Sequence, residues 1–155
     1  MDKLISFAQK GLILDKTKTK LLTIKYGNAK FTPEVLNKHV LPGGKLDFGE
    51  EPDTSFIREV KEETGITITP GQPFHVYTWI YKKEGGLQQI VALARIGFYS
   101  HGVLFNKERV EKETSIESRQ WIEIKELSKL EFTKEETPVI KKFLEYSKKN
   151  PFSLK

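Results

Sequence analysis

Short apolar runs and polar punctuation alternate along the chain from its first residues. The runs "SFAQKGLILD" and "KLLTIKYGN" are separated by polar "KTKT", which predicts a strand hairpin. The segment "AKFTPEVLNKH" has no clear period and is read as loop. In "LPGGK" the proline lacks a donor and the paired glycines admit backbone angles that other residues resist, so a tight, exposed turn is expected. From Pro52 to Thr64 the period becomes helical. Pro suits the first turn, Asp53 lies near the positive end of the helix dipole, and Phe56, Ile57 and Val60 share one apolar face. Gly65 follows as a C-terminal cap. "FHVYTWIYKK" and "LQQIVALARIGFYS" flank "EGG" as a second hairpin. His101 to Thr114 lacks periodicity and is long enough to be a working loop. "SRQWIEIKEL" predicts another strand, and "TKEETPVIKKFLEYSKK" a closing helix in which Pro138 is tolerable only near the first turn.

Strand hairpins with one helix between them and one at the end give an α+β domain, helices packed on sheet. At 155 residues, with no internal spacer of Pro, Gly and Ser, residues 1–155 are expected to form a single domain. Ten Phe, five Tyr and two Trp supply volume for its core. The absence of cysteine excludes disulfides, thiolate metal sites and cysteine nucleophiles, and fits a reducing compartment, so the expected location is cytoplasmic. No apolar run approaches the ~20 residues of a membrane helix, and the N-terminus lacks a signal-type apolar region; no membrane partner is expected. The formal charge of +5 would attract anions, but the lysines are scattered, the densest groups being "DKTKTK" and "KKFLEYSKKN". They read as solvated surface, and without an aromatic-basic platform nucleic acid is not the expected partner.

One stretch breaks this ordinary pattern. Between Gly44 and Ile66 the chain carries seven carboxylates, and helical spacing places Glu59, Glu62 and Glu63 on one face. On a solvated surface such a face needs no explanation. Where the carboxylates converge they repel by a few tenths of a kcal/mol per pair and call for a cation. All-oxygen donors favour Mg²⁺ or Mn²⁺, with Ca²⁺ as competitor. Arg58 can reach Glu62 at i+4, and a loop starting at Gly43 and Gly44 can bring Glu50 into the cluster while its backbone faces a phosphate chain.

Written as spacing, the stretch is Gly44, five residues, Glu50, seven residues, Arg58-Glu59-Val60, one residue, Glu62-Glu63, one residue, Gly65-Ile66. This resembles the complete Nudix box of the Nudix hydrolase family, and "HVLPGGKLDFGE" is similar to its usual lead-in, with His39 where a tryptophan is frequent. The resemblance implies an α/β/α sandwich, a mixed sheet between helices, with the box as loop-helix-loop. It implies metal-dependent hydrolysis of a pyrophosphate bond in a nucleoside diphosphate linked to another moiety, a small-molecule nucleotide being the partner. The implied metal ligands are Glu59, Glu62, Glu63 and the Gly43 carbonyl. Glu50 would act through metal-bound water or loop placement, and Arg58 would orient a ligand carboxylate. Gly43, Gly44 and Lys45 would meet the diphosphate, and His39, Trp79 and Tyr81 are the candidates for the base. The general base stays open between Glu62 or Glu59 in the box and Glu108, Glu111 or Glu113 in the long loop.

Subfamily cues lie outside the box. A proline fifteen residues after it accompanies ADP-ribose hydrolysis, but that position holds Tyr81. A tyrosine slightly farther on accompanies dinucleoside polyphosphates, and the upstream coenzyme A pattern is absent. The first expectation is therefore a compact enzyme acting on nucleoside triphosphates or modified nucleotides. Dinucleoside polyphosphate or ADP-ribose hydrolysis and a decapping-like RNA pyrophosphohydrolase are alternatives. A non-catalytic nucleotide-binding module would be expected to have lost box glutamates, and none is missing.

Overall fold

The computed structural model describes residues 2–27, 34–106 and 116–152. Seven strands make one mixed sheet: β1 (Asp2–Leu14), β2 (Lys20–Tyr26), β3 (His39–Val40), β4 (Gly43–Lys45), β5 (Ile66–Lys83), β6 (Gly86–Gly102) and β7 (Ile116–Glu123). Helix α1 spans Pro52–Thr64 and α2 spans Thr137–Lys149. The sheet runs β3-β2-β1-β6-β5, with β4 on β1 and β7 on β2. Among the described residues only the β1–β6 strand pair is parallel, running from Asp2↔Gly86 to Leu14↔Phe98.

Because side chains alternate along a strand, β1 feeds two cores at once. Leu12 and Leu14 point to one side and pack with Val139, Ile140 and Phe143 of α2. Ile13 points to the other and packs with Phe56 and Val60 of α1. The two helices thus cover opposite faces of a mixed sheet, the expected α/β/α sandwich. Phe56 and Phe143 are both fully buried, and each anchors its helix.

Helix α1 follows local rules. Pro52 opens it, Asp53 stands in its first turn, and Gly65 ends it at φ 90°, its N–H bonding the Lys61 carbonyl. Elsewhere long-range pairing overrides local expectation. "LPGGK" is not an exposed turn: Leu41, Pro42 and Gly43 are buried, and Gly43–Lys45 pair with Ala8–Lys10. Gly43 has φ 141°, and a Cβ there would collide with the Gln9 carbonyl, so only glycine lets β4 lie this close. Strand β5 begins at Ile66, not Phe74, and holds Pro70 and Pro73 at register shifts, where an edge strand tolerates missing donors. The strand predicted through Leu127 stops at Glu123 and becomes a 3-10 turn over Ile124–Lys129, which buries Leu127 in the α2-side core. The closing helix starts at Thr137, not Thr133, because the Thr133 carbonyl accepts from both Glu136 and Thr137 N–H in a separate turn. In the loop expected over residues 101–114, residues 101 and 102 belong to β6, and 107–115 lie outside the described residues, with Glu108, Glu111 and Glu113 among them. Of the loop read at 29–39, residues 29–33 also lie outside them. No helix among the described residues is long and apolar enough to cross a membrane.

Candidate active site

The acidic stretch folds around one cation of its own. Arg58, on the α1 face turned toward the β4 loop, donates from Nε to Glu50 Oε2 at 2.7 Å and from Nη2 to Glu50 Oε1 at 2.9 Å. Nη1 donates to Glu59 Oε1 at 3.0 Å and to both oxygens of Glu62 at 3.2 Å. Nη2 also lies 3.3 Å from Asp47 Oδ2 and 3.4 Å from the Lys45 carbonyl. One planar guanidinium thus gathers four carboxylates, the fork to Glu50 being the bidentate geometry that Arg alone provides. Four negative charges against one positive leave three in excess, and this region keeps them close together.

The guanidinium sets the protonation of Glu50. Its hydrogen bonds to Glu50, with the Asp47 N–H as a further donor, lower the Glu50 pKa from 4.5 to about 2, and burial opposes the shift. The same partners, Glu50 first, push the Arg58 pKa further up. Both groups stay ionised at neutral pH.

Glu63 occupies a different place. It is buried, and its Oε1 accepts from Gly43 N at 2.6 Å while the Tyr26 hydroxyl lies 3.4 Å from Oε2. Its backbone carbonyl accepts from Arg119 Nε at 2.6 Å. Gly44 lies against Glu59: a Cβ there would collide with Glu59 Oε2, so the missing side chain lets the carboxylate rest on the loop. The box residues Glu50, Arg58, Glu59 and Glu62 are therefore brought together, with Glu63, Gly43, Gly44 and Lys45 alongside.

The candidates for the base are spread out. Tyr81 places its hydroxyl 3.4 Å from Lys45 Nζ and is partly exposed. Trp79 is half-buried, packs against Ala8, Ile90 and Ala92, and stands 5.7 Å from the Tyr77 ring. His39 is buried in β3: its Nδ1 is 2.8 Å from Thr23 Oγ1, and its ring is 5.7 Å from Phe132. Burial, and then the charge of Lys25, lower its pKa, so it stays neutral at pH 7.

One residue without any sequence signal holds the loop from the other side. Glu136, 2% exposed, accepts from Leu41 N at 2.8 Å and from the Tyr77 hydroxyl at 2.5 Å, and lies 3.9 Å from Lys10 Nζ. The segment Leu41–Gly43 is thereby gripped between two buried carboxylates, Glu136 before α2 and Glu63 within α1. Gly11 N–H adds a bond to the Pro42 carbonyl at 2.6 Å. Gln9 and Arg95 fasten the start of α1: Gln9 Nε2 donates to the Pro52 carbonyl, and Arg95 donates to Gln9 Oε1 and to Asp53.

For a divalent ion, the donor chemistry fits. The cluster offers hard oxygens and an excess of negative charge, as Mg²⁺ or Mn²⁺ requires. Among the described residues, no three carboxylates or imidazoles already converge on one point as a metal-holding group. Glu59 and Glu62 converge on Arg58 Nη1 instead, contacts that an ion would exchange.

A protein-family model described as the NUDIX domain matches residues 9–143. The uncharacterized Nudix hydrolase YvcI of Bacillus subtilis (strain 168) is 51% identical over 43 residues, 28% of this chain and 27% of that protein. The 8-oxo-dGTP diphosphatase of Escherichia coli (strain K12) is 35% identical over 57 residues, 37% of this chain and 41% of that protein. The matches thus span less than half the length of these curated relatives. Among solved structures, a MutT protein from Methanosarcina mazei Go1 superposes with TM-score 0.69 at 19% identity, over 97% of this chain and 99% of that one. A NUDIX hydrolase from Nitrosomonas europaea gives TM-score 0.67 at 21% identity, over 97% and 95%. At these identities the structural likeness is one of fold.

Proposed function

The chain belongs to the Nudix family, as an enzyme of the Nudix hydrolase class, and from that premise we propose that it hydrolyses a pyrophosphate bond in a nucleoside diphosphate linked to another moiety. The first-choice substrate is a nucleoside triphosphate or a modified nucleotide, in keeping with the Escherichia coli relative being an 8-oxo-dGTP diphosphatase. The observation that carries the reading is the Arg58-centred cluster, four carboxylates around one guanidinium beside a glycine loop.

Glu59, Glu62, Glu63 and the Gly43 carbonyl would hold Mg²⁺, with Mn²⁺ as substitute. The bound ion would neutralise the diphosphate and make the attacked phosphorus more electrophilic. The other work falls to the chain. The Gly43–Gly44 segment, with no side chains of its own, would meet the phosphate chain, and Lys45 Nζ adds a positive charge at the loop's outer end. Arg58 keeps Glu50 ionised and fixes Glu59 and Glu62 at defined distances. Glu62, the more exposed of those two, would accept the proton of the attacking water, with Glu59 as the alternative base. Tyr81 and Trp79 are the base contacts. His39, buried and bonded to Thr23, supports the β2–β3 pair instead.

Dinucleoside polyphosphates are a second reading, favoured by Tyr81 standing next to Lys45, where it could stack on a second nucleoside. The test is hydrolysis of nucleoside triphosphates including oxidised ones, ADP-ribose, diadenosine polyphosphates, nucleotide sugars and capped RNA, with Mg²⁺ and with EDTA. Metal-dependent cleavage of a triphosphate is expected, and Glu62→Gln should lose ~10²–10⁴ of it while keeping the fold. Folded protein that cleaves none of the panel, or a Glu62→Gln variant with full turnover, would refute the assignment.

A further inference from the structure

The sheet face that α1 covers is covered over only part of its length. Register across β1, β6 and β5 sets Ile5, Gln89 and Ile80 in one row and Phe7, Val91 and Thr78 in the next. Gln9, Leu93 and Val76 make the third. Helix α1 starts at Gln9, whose side chain bonds the Pro52 carbonyl, and runs from there over Ile13. The rows on the other side of Gln9, toward the β5–β6 turn, are left open. Ile5 is 72% exposed, Ile80 62%, Val76 60% and Phe7 36%, with Val91 and Leu93 half-buried among them. No charged residue stands in these three rows. Gln89 Nε2 donates to Thr78 Oγ1 at 3.1 Å, and that hydroxyl bonds the Ile90 carbonyl, so the polar members are satisfied within the face.

The two ends of the patch carry opposite charge. Exposed Lys3 and Lys82 flank Leu87 in the row next to the turn, where Lys83 and Glu84 offset each other. At the other end Asp53 is paired with Arg95, and exposed Glu51 supplies the excess negative charge.

We propose that a second copy of this chain docks on this face, the two related by a two-fold axis that runs their strands in opposite directions. A two-fold contact presents the same patch twice, so its centre must be free of charge, as this one is. Opposed strands bring the Lys3 and Lys82 end of each copy over the Glu51 end of the other, with Lys3 of β1 facing Glu51 beside β1, whereas strands running the same way would stack like charges. The area fits. Ile5, Ile80, Val76 and Phe7 expose a contiguous apolar patch on the order of a few hundred Å², of the kind that is often functional. A stable complex buries about 800 Å² per partner as an apolar centre with a polar rim, and here the patch supplies the centre while the lysines and carboxylates supply the rim.

Sedimentation equilibrium from about 1 to 200 µM tests this against the range of ordinary dimer affinities. The wild-type chain should dimerise. Ile5→Glu and Ile80→Glu should each weaken association by about thirtyfold or more, as central contacts do. Lys3→Glu alone should weaken it, and Lys3→Glu with Glu51→Lys should restore it. Circular dichroism checks the fold of each variant, and Val76→Lys replaces any that unfolds. A chain that stays monomeric throughout, or a dimer indifferent to both Ile variants, overturns the proposal. Failure of the charge exchange to restore association overturns the opposed-strand arrangement.

Discussion

Glu136 and Tyr77 form the buried pair whose removal is most informative, because they anchor the loop beneath the candidate site. Tyr77→Phe deletes the donor at 2.5 Å and leaves Glu136 Oε2, among the described residues, with Lys10 at 3.9 Å. An unpaired buried acceptor costs about 1–3 kcal/mol. Glu136→Leu strips the acceptor from two buried donors, Leu41 N–H and the Tyr77 hydroxyl, and removes the negative partner of buried Lys10. That variant should lose about 2–5 kcal/mol. In a chain of this size it would lower Tm by about 2–4 °C per kcal/mol. The double variant should be less destabilised than the sum of the two single ones, since both remove one shared hydrogen bond and an apolar pair leaves neither group orphaned. A coupling of about 1–3 kcal/mol is expected from urea unfolding of all four proteins. Burial, then the charge and hydrogen bond of Glu136, push the Tyr77 pKa up, so the hydroxyl donates throughout the usable pH range and the coupling should not vary between pH 6 and 9 by more than about 0.5 kcal/mol. Additivity within about 0.5 kcal/mol would show that the two residues do not act as a unit, and would refute the clamp on Leu41–Gly43.

Two further outcomes follow from the same geometry. Glu50 has its pKa lowered from 4.5 to about 2, so its ionised form adds stability above pH 4.5 that is lost as pH falls toward 2. Arg58→Met should therefore move the acid unfolding midpoint to higher pH, and an unchanged midpoint would show that the guanidinium does not hold Glu50 ionised. Phe56→Ala opens a cavity under α1 at a fully buried position, and should cost about 3–5 kcal/mol in thermal or urea unfolding; a loss below about 1.5 kcal/mol would mean that α1 is not anchored there.

Local sequence determined much of the candidate site. Pro52, Asp53 and Gly65 delimit α1 at the residues where the structure begins and ends it, because caps act within a few residues of themselves. Helical spacing likewise puts Glu62 within reach of Arg58, and the alternation along β1 supplies both cores. What tertiary structure alone decided is long-range. Leu41 and Glu136 lie 95 positions apart, and no local pattern marks Glu136 as the second grip on the glycine loop. Burial of Leu41–Gly43 comes from β1 receiving β4, and the early end of β7 from the place Leu127 takes beneath α2. The half-covered face of β1, β6 and β5 has the same origin: its residues alternate like any strand, but only the placement of α1 decides which are covered. Backbone propensity and charge spacing act over a few residues and can be read in order along the chain. Strand partners and the pairing of buried charges depend on which distant surface arrives to meet them.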